Sequence, residues 1–343
     1  MIEELFELPV VGAPLAGGPS TPELAAAVSE AGGLGFVAAG YKSADDVERE
    51  IAAVKAATPR PFGVNIFFPA RLEADGAAIA EYASRLEADA RRYGAECGEP
   101  HWSDDDWNAK IDLIARERPS VVSFTFGCPD REIVSGLQDG GASVWCTVTT
   151  PEEGEIAVGT GVDALVVQGA EAGGHQSSFD DTDDAPLGVL ALLQVVRTVT
   201  DRPLVAAGGI ASGRGIAAVV RAGAVAAQIG SGLLLTPEAG TSAAHRQALG
   251  RSRPTALTRA FTGRRARGIV NRFLTEHDAF APRGYPHIHY VTAPLRAAAR
   301  AAGDPDGINL WAGQAYRLAE AVPAGELVTR WTEEARVEAR ARA

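Results

Sequence analysis

A histidine follows two adjacent glycines just after an apolar run, in the segment Gln168–His175. The run Ala164–Val167 before it is typical of a buried parallel strand. Paired glycines let a backbone pass close to a flat ligand, where a Cβ atom would collide with it. The imidazole pKa lies near neutrality, so His175 is well placed for proton transfer. A tight turn followed by a surface histidine would show the same residues, so the rest of the chain must decide.

Two later glycine-rich loops predict a phosphate site. Ala206–Ile210 follows the seventh apolar run, and Gln228–Gly232 follows the eighth. Eight-stranded α/β barrels commonly hold a phosphate at these two loops, through backbone N–H groups and a helix N-terminus. Either loop alone could serve tight packing, whereas the pair in tandem favours phosphate. The sequence has no Gly-x-x-x-x-Gly-Lys motif, which argues against nucleoside triphosphate hydrolysis.

Asn65 lies in the apolar segment Gly63–Pro69, at the end of the third run. Its amide has one acceptor and two donors to satisfy among hydrophobic neighbours. The edge of a heteroaromatic ring offers matching groups, and so does backbone; the residues leave both open. The first run ends similarly, in the small-residue loop Gly12–Gly18.

Short apolar runs alternate with helical patterns from near the first residue, which predicts an α/β fold. Helices are predicted to begin at Pro22, at Ala44 behind Ser43, at Pro151 and behind Ser212. Eight strands over roughly 240 residues match a (β/α)8 TIM barrel, with a doubly wound open sheet as the alternative. The strand candidates are Val10–Leu15, Leu34–Ala38, Phe62–Phe67, Val121–Phe126, Ser143–Thr147, Ala164–Gln168, Leu204–Ala207 and Ala224–Ile229.

The alternation stops near Thr255. We expect residues 1–250 to form the barrel, residues 251–310 to form a smaller, mainly helical lid over its mouth, and residues 311–343 to return to the barrel as helices. Pro294–Ala302 and Gly313–Ala321 are the helix candidates in this part of the chain.

Composition limits the classes of function. The chain has 343 residues, 46% of them hydrophobic, and a formal net charge of −12 at pH 7. This charge disfavours binding to nucleic acid or to an anionic membrane. Cys97, Cys128 and Cys146 have no metal-site spacing and indicate reduced thiols of a cytoplasmic protein. The first residues lack a signal-peptide pattern, and no window is long and apolar enough to span a membrane.

The other histidines have less specific surroundings. His101 and His277 are predicted at the surface, and His245 is predicted on a helix in a structural role. The segment His287–Tyr290 is flanked by proline and aromatic residues. This composition suggests a wall of the substrate pocket, with Tyr290 as a pocket residue.

Two charged segments remain. The arginines of Arg259–Arg267 could steer an anionic substrate or pair with carboxylates. The acidic run Asp180–Asp184 predicts a solvated loop rather than a metal site, and we expect no bound metal.

Several short motifs, in order along nearly the whole chain, resemble those of the class I nitronate monooxygenases, the FMN-dependent family formerly called 2-nitropropane dioxygenases. They are PVVGAPLAGG, GGLGFVAAGY, GVNIFFP, QGAEAGGH, AAGGI, QIGSGLLLTPEA, TRAFTGRRARGIVNRF and LWAGQA. The resemblance implies a TIM barrel with a lid domain and non-covalent FMN. It also implies that O2 and alkyl nitronates react to give carbonyl compounds and nitrite, and it leaves nitroalkanes open as substrates.

The resemblance assigns roles to individual residues. His175 stands at the position of the catalytic histidine, either as a base for a nitroalkane or, as imidazolium, holding the nitro oxygens. Thr125, a pocket residue, stands where relatives often carry histidine, so the pocket's polarity differs here. The implied FMN-binding residues are Ala13, Pro14 and Leu15 beside the ring, Asn65 and Gln168 at its polar edge, Gly173 and Gly174 near the flavin, Gly208, Gly209, Gly230 and Ser231 at the phosphate, and Ala207 and Gln228 next to them.

Two other functions stay open at this point. An NAD(P)H-dependent flavin reductase, acting on enoyl thioesters or quinones, would use the same barrel and the same glycine-rich loops. A flavin- or phosphometabolite-binding module without catalysis is the third hypothesis, although the intact His175 motif argues against it. The residues do not decide the physiological substrate or whether the chain forms a homo-oligomer.

Overall fold

The predicted apolar runs form one parallel sheet in the computed structural model, which describes residues 2–69, 74–182 and 186–341. The chain's strands are β1 (Val10–Gly12), β2 (Gly35–Ala38), β3 (Phe62–Phe67), β4 (Val121–Thr125), β5 (Ser143–Val148), β6 (Ala164–Gln168), β7 (Gly174–His175), β8 (Leu204–Ala207), β9 (Ala226–Ile229), β10 (Thr255–Thr258) and β11 (Ala266–Ile269). Eight of them pair in the order β1-β9-β8-β6-β5-β4-β3-β2. A parallel bridge between Val11 and Leu34 joins the first strand to the second, so the sheet closes into a TIM barrel and the open-sheet alternative is wrong.

The first strand was predicted to end three residues later than it does. It stops at Gly12 rather than Leu15, because Pro14 has no N–H group to donate to a ladder and the chain turns toward the barrel axis. The second and eighth strands begin one and two residues later than predicted, at Gly35 and Ala226.

The helices are α1 (Pro22–Glu30), α2 (Ala44–Ala57), α3 (Gly76–Arg85), α4 (Glu87–Tyr93), α5 (Trp107–Glu117), α6 (Arg131–Asp139), α7 (Pro151–Thr160), α8 (Val189–Arg197), α9 (Gly213–Arg221), α10 (Ala243–Leu249), α11 (Arg272–His277), α12 (His287–Ala301) and α13 (Ala324–Arg340). The four predicted helix starts are confirmed. The hydroxyls of Thr21, Ser43, Thr150 and Ser212 each accept a hydrogen bond from the first turn of their helix. No described helix combines the length and apolar composition needed to cross a bilayer.

The barrel has two apolar layers. The larger lies between the sheet and its outer helices, and α13 contributes Leu327, Val328 and Trp331 to it. Helix α13 therefore packs on the barrel. A smaller cluster around Phe36 and Trp145 fills the barrel interior.

A second core lies beside the barrel. Helices α3 and α4, inserted after β3, share it with the segment that follows the barrel, through residues such as Tyr82, Phe261 and Ile288. The Tyr82 hydroxyl donates to the Ala260 carbonyl at 2.6 Å. This region therefore draws on residues before 100 as well as on the predicted range 251–310.

The same region contains a sheet that the sequence analysis missed. Strands β10 and β11 form a hairpin, and β11 pairs antiparallel with β7, so that Ala266 faces His175. The predicted helix Gly313–Ala321 is wrong, and only a single 3₁₀ turn, Tyr316–Leu318, forms there. The reason is that the Gly313 and Gln314 amides bond to Ser231 Oγ and the Glu171 carbonyl, respectively, instead of starting a helix.

Candidate active site

A cavity of about 400 Å³ opens where the eight barrel strands end. Each strand contributes to its lining, either through its last residues or through the loop that follows, as expected for a TIM barrel. Its lining includes the catalytic candidate His175, the pocket candidate Thr125 and the whole set of cofactor candidates: Ala13, Pro14, Leu15, Asn65, Gln168, Gly173, Gly174, Ala207, Gly208, Gly209, Gln228, Gly230 and Ser231. Tyr290 does not line it; its ring stacks on His101 at 3.7 Å between ring centroids.

One end of the cavity is lined by backbone. Gly208 and Gly209 follow β8 with φ angles of 108° and 70°, in the left-handed region that side chains disfavour. Gly230 and Ser231 follow β9 at the start of a 3₁₀ turn. Ser231 Oγ accepts the Gly313 amide at 2.8 Å, so its own hydrogen is free to point into the cavity.

The paired glycines before His175 have two different roles. A Cβ on Gly173 would lie 2.4 Å from the Gly313 nitrogen, so this glycine is required by the close passage of another protein segment. A Cβ on Gly174 would meet nothing within 4 Å, and its φ angle is 75°. Both glycines were predicted to make room for a flat ligand. Only Gly174 has free space where a ligand could pass, because Gly173 makes room for another part of the protein.

Asn65 Nδ2 bonds to three oxygens on β4: the Ser123 carbonyl, Ser123 Oγ at 2.9 Å and Thr125 Oγ1 at 3.0 Å. These bonds fix the amide orientation. Oδ1 accepts no hydrogen bond from the described part of the protein, which leaves it as an acceptor toward the cavity. The same network fixes Thr125, whose side chain lines the cavity.

Gln168 is bonded to the protein backbone. Its Nε2 donates to the His175 carbonyl at 3.1 Å, and its Oε1 accepts the Ser177 amide at 2.8 Å. One side chain thus holds both neighbours of Gln176. Gln168 therefore positions the His175 segment; it also lines the cavity, and its bonds to a flavin stay a prediction.

The His175 ring has a defined tautomer. Its Nε2 lies 2.9 Å from Thr262 Oγ1, and that hydroxyl donates its only hydrogen to the Arg264 carbonyl at 3.2 Å. Nε2 must therefore carry the hydrogen of the His175–Thr262 bond, and Nδ1 is the unprotonated nitrogen. Nδ1 accepts no hydrogen bond from the residues that the structure describes.

His175 is held in its neutral form. Burial, and then the positive charges of Arg264 and Arg296, lower its pKa to about 3. At neutral pH the ring can accept a proton but carries no charge. This argues against the imidazolium role.

Aromatic rings form the wall at the His175 end. Tyr41, Phe67, Phe126 and Trp311 all line the cavity, and the Phe126 and His175 rings meet edge to face at 5.6 Å. The sequence analysis assigned none of them to the site. Three of the four stand at or just after strand ends, a signal that the barrel rule could have used.

Two surface assignments need correction. His277 is buried, because its Nε2 bonds to Asp89 at 2.7 Å in the second core. Arg272 pairs with the same carboxylate at 2.7 Å and with Glu276 at 2.6 Å, so both acids of the group Asp89, Glu276 and His277 are bonded to an arginine. Asp181, expected in solvent, is fully buried between Arg259 and Arg265, at 3.1 and 3.6 Å. Asp183 and Asp184 lie outside the described residues.

The remaining assignments agree with the structure. His101 is exposed, and His245 lies on α10, with a pKa lowered by burial to about 4. The side chain of His245 also lines the cavity, which the sequence analysis did not expect. Cys97, Cys128 and Cys146 are free thiols.

Comparison with known proteins agrees with this geometry. The family model described as nitronate monooxygenase matches residues 1–334. The nitronate monooxygenase of Pseudomonas aeruginosa is 40% identical over 96% of this chain and 97% of its own length. That of Paraburkholderia phytofirmans is 36% identical over 95% and 91%, respectively.

Solved structures give the same result. A nitroalkane oxidase from Streptomyces ansochromogenes superimposes with a TM-score of 0.97 at 47% identity, covering 100% of this chain and 99% of that one. FabK of Thermotoga maritima, at 24% identity and a TM-score of 0.77 over 99% and 97% of the two chains, shares the fold. The family model and the relatives each cover nearly the whole chain, and their motifs meet in one cavity: the chain belongs to the nitronate monooxygenase family of flavin-dependent oxidoreductases.

Proposed function

We propose that the chain is an FMN-dependent monooxygenase that oxidises alkyl nitronates with O2 to carbonyl compounds and nitrite. One observation carries the proposal. A single cavity joins a glycine-lined end, suited to a phosphate, to an end formed by His175 and aromatic rings. A ligand that spans both ends would have a phosphate on one side and a flat reactive ring on the other.

The residues present fit FMN. The cavity volume of about 400 Å³ lies within the usual range for cofactor sites. The left-handed glycines Gly208 and Gly209 leave space for phosphate oxygens near backbone amides, and Ser231 has a hydroxyl hydrogen to donate. Asn65 Oδ1 can accept from a ring N–H.

Bound FMN would supply the electron-accepting chemistry, and the protein supplies position and electrostatics. In this proposal Nδ1 of His175, which accepts no hydrogen bond from the described residues, is the nitrogen that acts on the substrate. For a neutral nitroalkane, Nδ1 takes the proton from the carbon next to the nitro group. With a pKa near 3 it is a weak base, so we expect a preformed nitronate, which has already lost that proton, to be the better substrate.

The second core acts in this proposal as a lid. Strand β11 pairs with β7, so it holds the backbone of His175 from the outside. Trp311 and Tyr41 close the same end with apolar surface. Exclusion of water there strengthens every charge interaction with the substrate.

The decisive experiment mixes the purified yellow protein anaerobically with a primary alkyl nitronate and, in a separate sample, with NADPH. We expect the nitronate to change the flavin spectrum, and we expect nitrite to form once oxygen is admitted. NADPH is expected to leave the spectrum unchanged. Rapid bleaching by NADPH alone would favour the flavin reductase alternative.

The cofactor has its own test. Heat or acid should release FMN, identified by chromatography against FMN and FAD standards. Recovery of FAD, or a protein that takes up no flavin, would contradict the proposed cofactor without depending on any turnover measurement.

A further inference from the structure

We infer that Arg264, which lies behind the Phe126 ring, is a specificity-determining residue that makes the His175 end of the cavity prefer an anionic substrate over its neutral conjugate acid. The inference rests on the proposed function for the identity of that pair, a nitronate and its nitroalkane. It concerns a residue that does not line the cavity and acts through its charge.

Arg264 is close to the site but separated from it by one ring. Its side chain is fully buried, and its Cζ lies 4.0 Å from the centre of the Phe126 ring. The edge of that ring faces His175 at 5.6 Å between centroids. The same guanidinium lies 5.8 Å from the Tyr285 ring, which also meets His175, at 5.7 Å. Two aromatic faces thus hold the cation against the cavity wall.

The charge of Arg264 is not paired. Within the described chain, no carboxylate oxygen lies within 4.0 Å of its guanidinium, and its Nε, which is buried, has no partner. Its Nη2 donates to the Ser178 carbonyl, which is neutral. The nearby carboxylate of Asp181 already contacts Arg259 at 3.1 Å and Arg265 at 3.6 Å. Asp181 therefore faces three arginines, and the other carboxyl group that acts on Arg264 is Glu153, whose pKa is raised by burial.

Arg296 adds a second buried cation with neutral partners. It bonds to Thr292 Oγ1 at 3.0 Å, to the His289 carbonyl at 2.9 Å and to Asn309 Oδ1 at 3.4 Å. The groups that face His175 are otherwise uncharged: Thr262, Tyr285, Phe126, Trp311 and neutral His289, whose pKa burial and Arg296 lower to about 2. The potential at this end of the cavity is therefore positive.

A buried cation without a counter-ion is costly unless a charge of opposite sign arrives. A nitronate brings that charge, and a nitroalkane does not. Of the two cations, Arg264 is the one stacked on a lining ring, so its loss should affect the anion most. A purely structural arginine would stabilise both substrates' complexes equally.

The test compares three variants with the wild type. Arg264→Gln removes the charge and keeps a donor for the Ser178 carbonyl, whereas Arg264→Lys keeps a positive charge. Arg259→Gln is the matched control, since it removes the same charge from the same segment, at an arginine whose guanidinium pairs with Asp181. For each protein, saturated with FMN, kcat/KM is measured with a nitronate and with its nitroalkane. The dissociation constant of nitrate, an unreactive planar anion, is measured by calorimetry.

We expect Arg264→Gln to lower kcat/KM for the nitronate and to weaken nitrate binding by roughly tenfold, with less than about twofold change for the nitroalkane. For Arg264→Lys and Arg259→Gln, the ratio of kcat/KM with the nitronate to kcat/KM with the nitroalkane should stay close to that of the wild type.

Equal losses with both substrates and unchanged nitrate affinity would overturn the inference and leave Arg264 a structural role. The same would follow if Arg259→Gln matched Arg264→Gln. If Arg264→Gln does not fold, Arg296→Gln must show the same direction of change, and its failure to do so counts against the inference. If the wild-type protein turns over neither substrate, the proposed function is contradicted instead. The nitrate dissociation constants would still test whether the potential at the His175 end of the cavity is positive.

Discussion

The two ends of the cavity are made in different ways. The end proposed to hold a phosphate consists of backbone: Gly208, Gly209 and Gly230 lie in two loops that directly follow neighbouring strands. The His175 end consists of side chains, and its key contact joins His175 to Thr262, 87 residues later. Local sequence specifies the first end, and tertiary folding assembles the second.

The difference predicts how each end responds to substitution. Changes at the glycine end should alter how tightly the cofactor binds and leave the chemistry intact once it is saturated. Changes at the His175 end should alter turnover and leave cofactor affinity unchanged. Three substitutions test this separation, in order of decreasing expected effect.

The largest effect is expected for His175→Asn with a neutral nitroalkane. Asparagine cannot accept the proton, so kcat should fall by roughly a hundredfold or more. The nitronate has no proton to lose, and its turnover should fall much less. In the wild type, the low pKa keeps His175 neutral above about pH 4, so no acidic limb from this residue is expected between pH 5 and 8.

FMN content and the FMN dissociation constant, from flavin fluorescence, serve as controls for this variant, with His101→Asn as a surface comparison. A flavin-loaded His175→Asn protein with full activity on both substrates would exclude a catalytic role for the residue.

A smaller effect is expected for Gly209→Ala at the other end. A side chain in the left-handed region costs about 1–2 kcal/mol, and a Cβ here would lie 3.1 Å from Glu171 Cβ. If that strain is relieved by distortion of the loop, the FMN dissociation constant should rise about tenfold. kcat at saturating FMN should remain near that of the wild type.

Gly223→Ala is the matched control for strain, since Gly223 also has a positive φ angle, 100°, and open space around it, but lies after α9 and outside the cavity lining. Equal losses of FMN affinity in the two variants would mean that Gly209 matters for stability alone.

The smallest effect is expected for Thr262→Val, which removes the acceptor that fixes the His175 tautomer. A lost hydrogen bond of about 1 kcal/mol predicts roughly a fivefold lower kcat on the nitroalkane. KM and the FMN dissociation constant should change little. Thr262→Ser keeps the hydroxyl and should restore kcat; failure of that rescue would assign Thr262 to packing rather than to positioning.

The barrel could be predicted from the sequence because it depends on local patterns. Short β-branched runs, proline at the first helical position and hydroxyl caps such as Thr21 and Ser212 act within a few residues. The glycine end was predicted for the same reason. Its residues follow strands, and in a TIM barrel every such loop faces one mouth.

The rest depends on contacts between distant segments. Nothing local marks Thr262 as the partner of His175, or Arg264 as the cation behind Phe126. The two amide atoms of Gln168 bond to backbone seven and nine residues ahead, and nothing in the local sequence indicates these contacts. His277 looked exposed because its partner, Asp89, lies 188 residues earlier.

The second core also has a consequence for biosynthesis. Helices α3 and α4 cannot bury their apolar faces until the segment around Ala260, 178 residues beyond Tyr82, has been made. At ~5–20 residues per second, that delay is on the order of ten seconds or more. During this interval the nascent chain exposes Ile79, Tyr82 and Leu86 to the cell. The segment that completes the second core is therefore also the segment that ends this exposure of apolar surface.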